Sequence, residues 1–205
     1  MRYNEFSNHF KEFPLFSTND IYKIDPAFHR RRLVEWQDDN HLIKIANGFY
    51  TFKEHKINEQ FLFLASNKIY QPSYISLESA LSYYHFIPEG VFSLTAITTN
   101  KTKEFETELV AFKYRKIKNE LFMGYCLLPY NNVLIKMATA EKALLDFFYF
   151  NKNINTKVEL EHLRFNIIEI KKSVSFKRLN VLCRYFNNSK LNEQVNLFTQ
   201  FVNHA

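Results

Sequence analysis

The chain is poor in the residues that interrupt regular structure: among 205 positions there are 3 glycines and 5 prolines. So little glycine leaves few flexible linkers, and a chain dense in helices and strands is expected. Cysteine is scarce too. Cys126 and Cys183 lie far apart, with no His or Cys neighbour at ligand spacing. This excludes a disulfide framework and a paired-cysteine metal site, and points to a reduced, cytoplasmic compartment. There is no phosphate-binding glycine loop and no HExxH pair, so neither metal nor cofactor is expected. The longest apolar runs, residues 61–65 and 143–150, fall far short of a membrane span. The first twelve residues lack the apolar centre of a secretory signal.

Aromatic residues are abundant, with 22 Phe and 12 Tyr, which predicts aromatic-filled cores. Apolar residues at 46% and charged residues at 23% are ordinary for a globular chain and argue against disorder. The net charge of +6 permits a nucleic-acid partner. Its distribution is uneven. Residues 1–55 hold 8 Lys and Arg against 8 Asp and Glu, residues 56–156 hold 11 against 9, and residues 157–205 hold 8 against 4. The first segment is therefore formally neutral, and any argument for nucleic acid there rests on a local cluster.

That cluster is Arg30, Arg31 and Arg32. Asp25-Pro26 reads as an N-cap followed by proline at the first helical position, opening a helix to Asn40. Leu42-Ile43-Lys44-Ile45 and Phe49-Tyr50-Thr51-Phe52 then flank Asn47-Gly48, a strong hairpin signal. Upstream, Phe6, Phe10 and Phe13 mark one face of a short helix. Ser17 caps a second helix, residues 18–23, with Ile21 and Ile24 on its buried side. Three helices, a tight turn before the third, and a hairpin make a winged helix-turn-helix. In the DNA-reading pose of that motif the third helix enters the major groove. Arg30 and Arg31 are then placed for base edges or phosphates, Arg32 for backbone, and Lys44 and Asn47 for flanking phosphates. The competing reading is a solvated face on which the arginines pair with Glu35 and Asp38. His29 and His41 flank this helix, within reach of phosphate, but are expected to cap or pack.

Further along, a helix from Glu59 ends before Gln71-Pro72, and a second, capped at Ser76, stops at Pro88. Strands are expected at residues 91–99, 104–107, 112–115, 120–128 and 133–137, with Lys113 and Arg115 on one side of theirs. Thr139 caps a helix to Phe150. Residues 151–156 form a linker, and helices follow at residues 158–165, 175–187 and 191–203. The fold class is α+β: a winged helix over residues 1–55, a mixed α+β domain over 56–150, and a helical C-terminal extension over 151–205. Glu78, Glu141 and Asp146 are carboxylates expected in structural roles, with Glu141-Lys142 capping or pairing locally. Glu54-His55-Lys56 and Glu169-Ile170-Lys171 match a short nuclease element at the frequency expected by chance. Lys171, Lys172, Lys177, Arg178 and Arg184 form either a second nucleic-acid surface or a solvated face.

Three features together resemble one family. They are the winged helix, the segment from Tyr74-Ile75-Ser76-Leu77-Glu78-Ser79-Ala80-Leu81 to Ile87-Pro88-Glu89, and Ala138-Thr139-Ala140-Glu141-Lys142-Ala143-Leu144-Leu145-Asp146. The chain resembles the AbiEi antitoxins, the transcriptional-regulator half of abortive-infection, type IV toxin–antitoxin pairs, over roughly residues 10–150. The resemblance implies a non-enzymatic repressor that binds inverted repeats in its own promoter. It also implies a nucleotidyltransferase-like partner toxin, countered without a stable complex. The family's DNA-contacting role falls on Arg30, Arg31, Lys44 and Asn47. This chain departs from the pattern in carrying Asn47 where many relatives have a basic residue, and Asp38-Asp39 at the helix end. The alternative from another class is a protein-interaction module that neutralises a toxin by contact.

Overall fold

The computed structural model describes residues 1–88 and 93–204. It opens with helix α1 (Tyr3–Phe10), strand β1 (Phe16–Ser17), helices α2 (Thr18–Ile24) and α3 (Arg31–Asp38), and strands β2 (Leu42–Ala46) and β3 (Phe49–Phe52). The three strands form an antiparallel sheet in the order β1-β3-β2. Phe6, Phe10, Phe16, Phe28, Trp36 and Phe52 are buried together between helices and sheet. The aromatic excess of the first fifty residues is thus spent on one core, with the Phe6 and Trp36 ring centroids 4.6 Å apart.

The second helix begins as expected. The Asp20 N–H donates to Ser17 Oγ at 3.2 Å and the Ser17 N–H returns to Asp20 Oδ2 at 3.0 Å, a reciprocal capping box. The third does not begin at Asp25-Pro26. The Asp25 N–H closes α2 on the Ile21 carbonyl, and its carboxylate takes the Met1 amino group at 3.0 Å and the Ala27 N–H at 3.1 Å. Residues 25–30 instead form turns that deliver Phe28 to the core, and the helix starts at Arg31 with Arg30 as its N-cap. Phe13 and Ile24 were expected to be buried and are 52% and 46% exposed. The helices that would carry them inward stop at or before those residues.

Gly48 sits in the hairpin turn at φ +80°, and a β-carbon there would meet Thr18 Oγ1 at 3.2 Å. Its carbonyl accepts the Thr18 N–H at 2.9 Å, which fastens the turn to the start of α2. Gly48→Ala is expected to cost about 1–2 kcal/mol in urea denaturation, with Gly48→Asn less harmful because asparagine tolerates the left-handed region.

The rest of the chain is built on a six-stranded mixed sheet. Helix α4 (Glu59–Ile69) precedes strand β4 (Ser73–Ile75), helix α5 (Leu77–Tyr83), and strands β5 (Ser93–Thr98), β6 (Lys103–Phe105) and β7 (Ala111–Lys116). A 3₁₀ turn (Asn119–Leu121) leads to β8 (Tyr125–Tyr130), β9 (Val133–Ala138) and helix α6 (Ala140–Phe150). The strand order is β6-β7-β5-β4-β9-β8, with β4–β9 and β5–β7 parallel and the other pairs antiparallel. Asn58 caps α4 and Thr139 caps α6, both through side-chain oxygens.

Helix α5 ends at Tyr83 rather than at Pro88. His85 turns left-handed at φ 57°, its N–H bonds to the Ser82 carbonyl, and the Phe86 N–H bonds to Leu81. This is the Schellman ending, made worthwhile by full burial of Phe86. The strand expected from Glu120 forms only from Tyr125, because the 3₁₀ turn and Gly124 at φ +75° occupy the preceding residues. Val91 and Phe92 of the strand expected at residues 91–99, and Glu89 of the preceding segment, lie outside the described residues.

Four helices follow: α7 (Lys157–His162), α8 (Ile167–Ser173), α9 (Phe176–Tyr185) and α10 (Ser189–His204). The expected pattern has three. Arg164 at φ 49° breaks the chain after α7, and Asn166 Oδ1 accepts the Glu169 N–H to cap the additional helix α8. Leu160, Ile170, Leu179, Leu191, Phe198 and Val202 join Leu144 and Phe148 of α6 in the same core that covers the large sheet. No described helix is long and apolar enough to cross a membrane.

Candidate nucleic-acid interface

The arginine cluster stands at the N-terminus of α3, where the helix dipole leaves its partial positive charge; the Arg32 and Leu33 N–H groups there are already bonded to the His29 and Arg30 carbonyls. No acidic residue occupies the first turn to offset the three cations. Such an arrangement is unfavourable for the isolated helix and favourable for an anion placed against it. Arg30 is exposed and held toward α2, its Nε donating to the Tyr22 hydroxyl at 2.9 Å with the guanidinium over the Tyr22 ring. Arg31 is 88% exposed and meets Glu35 at 3.5 Å, a surface pair worth little. Arg32 points elsewhere: its Nη1 donates to the Met1 carbonyl at 2.7 Å, tying α3 to the chain start. Among the described residues Asp38 pairs with none of the three. The structure therefore places two arginines outward and assigns the third to the fold.

Lys44 and Asn47 are exposed on β2 and the following turn. They do not stand alone. Both line a cleft of about 690 Å³ whose opposite wall is Glu106, Thr107 and Glu108, in the segment after β6. An anion brought to Lys44 thus meets two carboxylates nearby, a feature invisible in the local sequence. His41 stacks on Tyr3 with ring centroids 4.2 Å apart, a packing role. His29 is exposed, and its carbonyl accepts the Arg32 N–H in the turn before α3.

A second group of charged residues is wholly internal. Lys142 and Asp146, one turn apart on α6, form an ion pair with both side chains 0% exposed. Asp146 Oδ2 also accepts from the Tyr74 hydroxyl at 2.9 Å and the Ser76 hydroxyl at 2.8 Å. The ammonium of Lys142 lies over the rings of Tyr74 and Phe186, 5.5 and 4.9 Å from their centroids. Burial pushes its pKa down, opposed by the adjacent carboxylate. Gly124 makes room for it: a β-carbon there would lie 3.2 Å from Lys142 Cγ and Cδ. This network joins α6, β4 and α9, and its burial makes it a structural tie.

Local pairing of Glu141 with Lys142 is not what forms. Lys142 bonds to Asp146, while Glu141 Oε1 accepts the Ser175 N–H at 3.1 Å at the start of α9. Ser76 likewise gives its hydroxyl to Asp146 rather than capping α5. Glu78 lines a smaller cleft of about 240 Å³ with Lys113 and Arg115. Among the described residues no three His, Cys, Asp or Glu side chains are grouped to hold a metal ion. Lys171, Lys172, Lys177, Arg178 and Arg184 are all exposed on α8 and α9, and only Lys172 has an acidic partner among the described residues, Glu169 at 3.5 Å.

Tyr74 and Tyr114 are buried phenols whose pKa values are raised, by burial first and, for Tyr74, by the Asp146 charge. The native state keeps these protons above pH 10, where unfolded tyrosine releases them. Their contribution is therefore complete below pH 10 and is lost as pH rises beyond it. Stability is expected to fall above pH 10 by about 1.4 kcal/mol per pH unit for each phenol. Urea titrations at several alkaline pH values measure this, and Tyr114→Phe should remove one share of the slope.

Neither comparison with known proteins assigns the chain: no family model matches it, and no curated protein gives a significant match.

Proposed function

We propose that this protein is a sequence-specific DNA-binding repressor whose first fifty-five residues form a winged helix-turn-helix. On this reading α2 and α3 are the helix-turn-helix pair, and the β2–β3 hairpin is the wing. The observation that carries it is the pair of outward arginines, Arg30 and Arg31, at a helix N-terminus with no acidic residue in its first turn, together with a hairpin whose exposed residues are Lys44 and Asn47. The α3 N-terminus supplies phosphate affinity through its dipole and base contacts through the guanidinium forks. Residues 56–150 would form the α+β antitoxin domain and residues 151–205 a helical extension packed on it.

The resemblance to AbiEi antitoxins supports the wider assignment: the antitoxin of a type IV, abortive-infection pair that represses its own operon through inverted repeats. Its functional partner would be a nucleotidyltransferase-like toxin, opposed without a stable complex. The protein would act in the cytoplasm, without enzymatic activity or cofactor. The N-terminal segment is formally neutral, so two copies on an inverted repeat supply the affinity that one copy lacks. Titrating the DNA upstream of its own reading frame against a scrambled duplex tests the proposal.

A further inference from the structure

Strand β2 is an edge strand: among the described residues it pairs with β3 alone. The cleft of about 690 Å³ runs along its whole length, from Leu42 to Ala46, and on to Asn47. The backbone shows which groups face it. The Lys53 N–H bonds to the His41 carbonyl, and antiparallel pairs alternate between hydrogen-bonded and open positions. In the register Leu42↔Phe52, Ile43↔Thr51, Lys44↔Tyr50, Ile43 therefore exchanges bonds with Thr51. The N–H and C=O groups of Leu42 and Lys44 point away from β3; Lys44 is exposed on the cleft, whereas Leu42 is 3% exposed. An unpaired edge, exposed at Lys44, is a template for another strand.

The opposite wall is held in place and charged. Thr107 Oγ1 accepts the Val110 N–H at 3.2 Å and donates to the Val110 carbonyl at 2.8 Å, which fixes the segment that presents Glu106 and Glu108. Both carboxylates are exposed, and neither has a basic partner among the described residues. Glu104, by contrast, is neutralised by Lys113 at 3.2 Å.

We propose that this cleft takes an extended peptide rich in lysine or arginine, added as a fourth strand beside β2. Its backbone bonds to the outward groups of Lys44, and its cations lie against Glu106 and Glu108. Main-chain bonds give such docking its affinity, and the flanking charges give its selectivity. This site stands apart from the DNA reading, since it uses the backbone of Lys44 and not its side chain.

The test uses the full chain and the peptide Ac-Thr-Lys-Val-Lys-Val-Lys-Thr-NH2, with a glutamate version as control. Amide NMR shifts report the site, and anisotropy of labelled peptide reports affinity. Binding should shift the Leu42 and Lys44 amides and fail for the glutamate peptide. Lys44→Pro loses the outward N–H while sparing the β3 ladder, and should weaken binding about tenfold, the effect of one or two net hydrogen bonds. Glu106→Gln/Glu108→Gln leaves β2 untouched and should weaken binding about threefold at low salt, with a flatter salt dependence. Absence of binding at millimolar peptide, equal binding of the glutamate peptide, or shifts confined to other strands would overturn the proposal. So would duplex DNA shifting these amides while the peptide leaves them unmoved, which gives the cleft to nucleic acid.

Discussion

Asp146→Ala is expected to lower the unfolding free energy by about 3–5 kcal/mol, the cost of leaving a buried charge without its partner. Against a typical domain stability of about 5–15 kcal/mol, that is a large share. The substitution strands the Lys142 ammonium between the Tyr74 and Phe186 rings and removes the acceptor of two hydroxyls, those of Tyr74 and Ser76. Lys142→Met should be milder. Methionine fills the space of the alkyl stem, and the carboxylate keeps the two hydroxyl donors of Tyr74 and Ser76. Urea unfolding of both variants measures the order, and an Asp146→Ala protein as stable as the native chain would show that the pair contributes nothing.

Arg30→Ala/Arg31→Ala is expected to leave stability within about 0.5 kcal/mol, because both side chains are exposed. The same double change should cost about 1–3 kcal/mol of operator affinity for each arginine that reads a base, roughly thirtyfold or more in total. Arg32→Ala should show the reverse balance. It breaks the bond to the Met1 carbonyl, costing about 1 kcal/mol of stability, and changes DNA affinity less. Anisotropy titrations paired with denaturation separate the two outcomes. Tight, specific binding by the double variant would remove α3 from the recognition surface.

The elements that were legible in the sequence are those whose signal is local. The Ser17 capping box, the Asn47-Gly48 turn, the Asn58 and Thr139 caps and the alternation of Phe112, Lys113, Tyr114 and Arg115 are each complete within a few residues. Asp25-Pro26 misled because a residue 24 positions away shares its carboxylate: the Met1 amino group holds one oxygen and the Ala27 N–H the other, and the chain turns through Phe28 before the helix starts at Arg31. Glu141 and Ser76 changed partners for the same reason, each finding a bond across the fold. The Lys142–Asp146 tie had a trace in the sequence, two charges at helical spacing within an otherwise apolar run, yet only the packing of α6 shows that both are sealed. The facing of Lys44 by Glu106 and Glu108 joins segments more than sixty residues apart and leaves no local trace at all.

Binding of the full chain to labelled DNA from upstream of its own reading frame, followed from about 50 to 200 mM salt, tests the central claim most directly. With Arg30, Arg31 and Lys44 each neutralising a phosphate, log affinity should fall against log salt with a slope of about −3 per bound copy. The upstream sequence should be preferred over a scrambled duplex by about a thousandfold or more. Equal affinity for both duplexes, or a slope unchanged by Arg30→Ala/Arg31→Ala, would contradict a repressor that reads DNA through α3.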